Sequence, residues 1–146
     1  MSKVHRFPIR VYFEDTDAGG IVYHANYLKF MERGRTSLLR LAGWKQSQIV
    51  ADTGVAFAVR RMTIDFSAPA KLDDTLEVLT KINDIRGASF AAAQWIERDG
   101  RKLVGAEIQV AAINGGRAAR LPAAMRKTLE ELTAANAILN TSQLNA

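Results

Sequence analysis

Cysteine is absent from all 146 residues. That excludes a disulfide framework, a thiolate metal site and a cysteine nucleophile. Histidine occurs only as His5 and His24, too few to build a histidine metal cage, so no metal is expected. Long apolar runs are also missing. The longest low-charge stretch, Ala106–Asn114, is interrupted by Glu107 and Gln109. It falls well short of the roughly 20 apolar residues that span a bilayer. The opening MSKVHRFPIRVYF has no apolar segment ahead of a small-residue cleavage site. No signal peptide is expected, and the chain reads as cytoplasmic.

What is present describes one folded domain. Apolar residues make up 48% and charged residues 24%, ordinary values for a globular protein. Disorder is thereby excluded, because there is enough apolar side chain to bury. The expected domain covers 1–140, with 141–146 as a flexible tail. Lys and Arg number 20 against 15 Asp and Glu, a formal net charge of +5. That excess serves solubility, or attracts a polyanion. The cations are scattered and not interleaved with aromatics, which argues against nucleic acid.

Periodicity supplies the elements. Ile9, Val11 and Phe13 alternate with Arg10, Tyr12 and Glu14, predicting a half-buried strand over Arg10–Glu14. From about Asn26 to Ala42 the period becomes helical. Tyr27, Phe30, Met31, Gly34, Leu38 and Leu41 share one face, and Gly43 is the stop. Gly34 would let that helix lie close on a sheet. A shorter helix is expected over Gln46–Asp52. Phe57 and Val59 have one parity and Met62, Ile64 and Phe66 the other, which predicts a bulge near Arg60-Arg61. Strands follow at Leu76–Asn83, Ser89–Glu97 and Lys102–Ile113, the last two joined by an Asp99-Gly100 hairpin. Leu121-Pro122 opens a final helix. One long helix with a mainly antiparallel sheet is an α+β arrangement.

Several chemistries lack their motifs. There is no nucleophile elbow, no phosphate-binding glycine loop and no H-E-x-x-H. One stretch concentrates reactive residue types: Tyr12-Phe13-Glu14-Asp15-Thr16-Asp17-Ala18-Gly19-Gly20-Ile21-Val22-Tyr23-His24-Ala25-Asn26-Tyr27. It ends where the long helix begins. A helix start presents unpaired N–H groups and partial positive charge, able to stabilise a carbonyl oxygen turning into an oxyanion. Gly19 and Gly20 permit close backbone approach to a substrate. A carboxylate just ahead of the helix can attack a carbonyl or activate water, and Asp17 lies nearer the helix than Asp15. Both aspartates read equally well as turn formers or caps, and His24 as a buried or capping histidine.

The string D-T-D-x-x-G-x-V-Y-H-x-N-Y over 15–27, followed by Glu32-Arg33, resembles the signature of the hotdog-fold acyl-CoA thioesterases. More narrowly it is similar to the Tol–Pal-associated acyl-CoA thioesterases, relatives of 4-hydroxybenzoyl-CoA thioesterase. Phe66-x-x-Pro69-Ala70, Asp73-Asp74 and Asp99-Gly100 extend the likeness over nearly the whole chain. The resemblance implies a long central helix wrapped by a curved antiparallel sheet. It also implies active sites between paired subunits, in dimers that commonly pair into homotetramers. It makes Asp17 the nucleophile or general base and the His24 amide the oxyanion donor, with Tyr23 beside the His24 ring. Gly19, Gly20 and Asn26 are expected to line the substrate. Arg86 and Ser89 of the partner would meet the CoA, although the basic cluster at that turn is here thinned to one arginine. CoA enters as part of the substrate, so no separate cofactor is expected. An acidic acyl carrier protein is an implied partner, and peripheral association with the inner membrane an implied location. A different class remains open beside this: a module that binds acyl carrier protein or an envelope complex, with incidental hydrolysis.

Overall fold

The computed structural model describes residues 4–134 and 138–140. Strand β1 is Val4–Arg10, earlier than the predicted Arg10–Glu14. Asp15 is the cause of the shift. Its carboxylate accepts the Tyr12 N–H at 2.8 Å and closes a single 3-10 turn at Phe13–Asp15. The backbone leaves the sheet there, and Phe13, expected to face inward, is 81% exposed.

Helix α1 is Asn26–Leu41 and ends just before Gly43, whose φ of 95° only glycine adopts readily. Helix α2 is Gln46–Thr53. Strand β2 (Ala56–Phe66) carries the expected bulge, between Val59 and Arg61. Strands β3 (Thr75–Asn83), β4 (Ser89–Arg98) and β5 (Arg101–Asn114) follow. Asp99 and Gly100 both have positive φ, 51° and 79°, as the two-residue hairpin turn demands. A short β6 (Arg117–Ala118) folds back on β5. Helix α3 (Ala123–Ala134) begins one residue after Pro122. Strand β7 (Ile138–Asn140) runs parallel to β1. Neither β6 nor β7 was expected; each is too short to show a period, β6 returning on β5 through the Gly115-Gly116 turn and β7 being held by the distant β1. The expected tail at 141–146 lies outside the described residues.

The strands form one sheet in the order β2-β5-β4-β3-β1-β7, antiparallel except at β1–β7. Helix α1 lies against β1 and β3. Tyr27, Phe30, Met31 and Leu38 are buried under it, facing Val78, Ile96 and Ile108 of the sheet. A polar seam runs through this core. Gln94 donates to Thr80 Oγ1 at 2.8 Å and to the Met31 carbonyl at 2.9 Å, and accepts from Arg35 at 2.8 Å. Arg35 in turn pairs with Glu32. Each buried group of the seam thus has a partner, as a low-dielectric interior requires.

Candidate active site

The loop between β1 and α1 is pinned at several points. The Asp15 carbonyl accepts the Tyr23 N–H at 2.9 Å and the Asn26 Nδ2 at 2.9 Å. Val22 N–H donates to the Ala70 carbonyl at 2.9 Å, and Ile21 bridges to Lys71. The loop is therefore stitched both to the helix it precedes and to the turn after β2.

Asp17 sits at the tip. Its N–H donates to the Ile21 carbonyl at 2.9 Å, and its own carbonyl accepts from Gly20 at 3.0 Å. Its Oδ1 accepts the Gly19 N–H at 2.8 Å, a side-chain-closed turn. A Cβ at Gly19 would stand 3.2 Å from that same oxygen, so a larger residue there would push the carboxylate by a few tenths of an ångström. Gly20 holds φ at 80° with open space around it. The Asp17 side chain is exposed, with its second oxygen free of protein donors among the described residues.

The start of α1 has no side-chain cap. The N–H groups of His24 and Ala25 donate to no backbone acceptor among the described residues. They are available to an incoming oxygen, with the dipole of a 16-residue helix behind them.

Beside this helix start opens a cavity of about 310 Å³. Ile21, Val22, His24 and Tyr27 form one wall, and Phe66 to Pro69 the other. The His24 ring stands edge-on to Phe66, centroids 6.1 Å apart, and lies 4.6 Å from Tyr23. Tyr27 packs between Phe30 and Phe66 and is only 3% exposed. No charged side chain lines the cavity. Its contents must be apolar for the most part. The second wall is fixed from behind by Asp74. Burial favours its neutral form, but the Lys71 N–H and Arg98, 2.6 Å away, hold its carboxyl below the usual range.

The loop geometry brings Asp17, Gly19, Gly20, Tyr23, His24 and Asn26 together. Asn26, expected to line the substrate, spends its amide on the Asp15 carbonyl and acts as a strut. Arg86 and Ser89 are not part of this cluster. Their turn follows β3 at its far end, while the 69–74 turn beside the cavity precedes it. Nine residues of extended strand separate the two turns by roughly 30 Å. Arg86 pairs with Asp84 at 3.2 Å, and its N–H donates to the Ser89 carbonyl. The second wall went unread in the sequence. Phe66 to Ala70 looked like a strand end and a turn, and the sole hint was an aromatic three residues before a proline. Arg120 was missed as well; its guanidinium lies beside the Arg86 turn, 3.9 Å from where a Gly87 side chain would begin.

A family description, the thioesterase-like superfamily, matches residues 11–129, spanning the loop, the central helix and the sheet. The chain belongs to that superfamily. Its fold, a long helix wrapped by a curled antiparallel sheet, is the hotdog arrangement. The acyl-CoA thioester hydrolase YbgC of Escherichia coli is 53% identical over 91 residues, 62% of this chain and 67% of that protein. The acyl-CoA thioesterase YbgC of Haemophilus influenzae is 43% identical over 111 residues, 76% of this chain and 82% of its own length. A probable thioesterase from Bartonella henselae, known as a crystal structure, superposes with a TM-score of 0.79. It is 41% identical and covers 82% of this chain and 99% of its own. As a thioesterase-superfamily member, the chain has its free helix start and its apolar cavity on the segment the family description covers. Among the described residues no helix is long and apolar enough to cross a membrane, and no cluster of ligating side chains could hold a metal ion.

Proposed function

We propose that this protein hydrolyses acyl-CoA thioesters, with the acyl group in the cavity beside Tyr27 and Phe66. The observation that carries the reading is the pair of N–H groups at His24 and Ala25, without a backbone acceptor among the described residues, beside a mainly apolar cavity whose lining residue Ile21 accepts the N–H of the exposed Asp17. The thioester carbonyl oxygen points at those amides. Charge gathers on that oxygen as the carbonyl carbon becomes tetrahedral, and the helix start stabilises it more than the planar ester. One such donor is worth about 3–4 kcal/mol in other acyl-transfer enzymes.

Asp17 supplies the attack in one of two ways. As a base it takes a proton from water, the hydroxide adds to the carbonyl carbon, and the C–S bond breaks. As a nucleophile it adds directly, CoA thiolate leaves, and water cleaves the resulting anhydride. Both routes return the carboxylate and end in free acid and CoA thiol. The His24 ring, against Tyr23 and Phe66, orients the acyl group or the water.

The active unit is a pair of copies. Among the described residues, strand β2 is hydrogen-bonded on one side only, by β5, and none of its 11 residues is buried. Such a long free edge invites a second strand. Antiparallel pairing of two β2 strands sets the Phe66 end of one beside the Ala56 end of the other. The Ala56 end lies near the Arg86 turn, since Phe57 pairs with Ala112, whose N–H donates to the Ala88 carbonyl. A turn some 30 Å from the cavity in its own chain is thereby carried toward the cavity of its mate. Arg86, with Arg120 beside it, then meets the CoA phosphates, and Ser89 adds a hydroxyl. Further pairing of dimers into tetramers accords with the family. We place the protein in the cytoplasm with its substrate. An acidic acyl carrier protein is a second thioester donor that the +5 charge would attract.

The test is steady-state hydrolysis of a panel of acyl-CoA chain lengths by the wild type and by Asp17→Asn. Turnover of at least one thioester by the wild type, falling by a hundredfold or more in a folded Asp17→Asn, is the expected result. Near-normal turnover by the variant removes Asp17 from the mechanism. No turnover of any thioester removes hydrolysis.

A further inference from the structure

Tyr27 is the most deeply buried polar side chain at the cavity. Its phenol oxygen accepts the Ala70 N–H at 3.0 Å. An accepting hydroxyl still carries its own proton, and among the described residues no acceptor takes it. Asp74 is the nearest candidate. It interacts with the phenol only through its charge, while its Oδ2 is engaged by the Lys71 N–H and by Arg98. Burial pushes the phenol above its ordinary range, so it stays protonated and remains a donor. Buried tyrosine hydroxyls ordinarily find partners for both roles. This one has half its bonding capacity unused, on the wall of a mainly apolar cavity whose other polar lining residues are His24 and Ser67.

We infer that the Tyr27 hydroxyl donates a hydrogen bond to an oxygen carried on the acyl group, so that the preferred substrates are hydroxylated or oxo-substituted acyl-CoA esters. The inference rests on the thioesterase reading and deepens it. The carbonyl oxygen itself is provided for at the exposed helix start, by His24 and Ala25. Tyr27 stands in the first turn of α1, two residues after Ala25, but it is buried where the helix start is exposed, so the oxygen it meets lies deeper in the cavity than the carbonyl. The Ala70 hydrogen bond fixes the phenol in place, and Val22 N–H on the Ala70 carbonyl fixes Ala70. The donor is held in position before substrate arrives, which is what discrimination by a hydrogen bond needs.

The test compares 3-hydroxybutyryl-CoA with butyryl-CoA, two esters differing by one hydroxyl, in the wild type and in Tyr27→Phe. In the wild type kcat/KM should favour the hydroxylated ester by about tenfold, the effect of one neutral hydrogen bond in a dry site. In Tyr27→Phe the preference should collapse toward one. A merely structural tyrosine would depress both substrates together and leave their ratio alone. A wild-type ratio near one, or a ratio that survives in Tyr27→Phe, overturns the inference while leaving the thioesterase reading in place. Hydrolysis of neither ester, nor of any other acyl-CoA, overturns both. The wild-type ratio is decisive even where the variant folds poorly.

Discussion

The side-chain amide of Asn26 donates to the carbonyl of Asp15 at 2.9 Å, closing the loop that carries Asp17 onto the first turn of the central helix. The Tyr23 N–H reaches the same carbonyl. Two donors on one oxygen fix where the Asp17 turn stands relative to the free amides of the helix start. Misplacement of a reacting group by a fraction of an ångström costs rate without weakening substrate binding in proportion.

Asn26→Ala keeps the Tyr23 bond and loses the other. We expect kcat for acyl-CoA hydrolysis to fall roughly three- to tenfold, the worth of one hydrogen bond, with KM within about a factor of two. The check is steady-state kinetics on the best substrate of the panel. A raised KM with kcat intact would mean that Asn26 touches the substrate after all.

Gly34 is the point at which α1 lies closest on the sheet. A Cβ there would stand 2.7 Å from Val78 Cγ1 and 3.3 Å from both Gln94 Nε2 and Thr80 Oγ1. Alanine favours a helix interior over glycine by about 1 kcal/mol. Overpacking a core against a stiff β-branched neighbour costs about 1–3 kcal/mol. The clash also falls on the polar seam, where little can move. Gly34→Ala should therefore lower stability by up to about 2 kcal/mol net, read from the urea midpoint. A variant as stable as the wild type would show that β3 gives way freely.

His5 is wholly buried on β1, with Nε2 3.1 Å from Ser37 Oγ and Nδ1 without a partner among the described residues. Burial lowers its pKa from 6.5 to about 4. The folded protein thus keeps His5 neutral where the unfolded chain already binds a proton. Stability should be constant above pH 6.5 on this account, fall as pH drops below 6.5, and level off below about 4. The full loss is up to about 3 kcal/mol. Asp74, with its carboxyl held low, adds a loss only at more acidic pH, below about 3.8. Denaturation midpoints between pH 7 and 4.5 test this, because His5→Gln should flatten the slope in that window. An unchanged slope would assign it to other groups.

The amino-acid sequence determined the elements whose cause is local. Apolar spacing specified α1 to within a residue of its observed end. The parity slip at Arg60-Arg61 specified the bulge, and Asp99-Gly100 specified the hairpin, since only certain residues tolerate those backbone angles. The reactive string between β1 and α1 was equally legible, because its aspartates, glycines and helix start are contiguous. The early end of β1 is local as well, a carboxylate three residues on from Tyr12 that closes a turn, and apolar alternation does not report it. Tertiary structure decided everything that joins distant residues. It made Asn26 a strut, raised Phe66 to Pro69 into the opposing wall of the cavity, and separated the Arg86 turn from the loop. Among the described residues it also left the Tyr27 hydroxyl proton without an acceptor, which no spacing encodes. Periodicity reports which face of an element is buried, whereas hydrogen-bond partners and cavity walls depend on which elements the fold sets side by side.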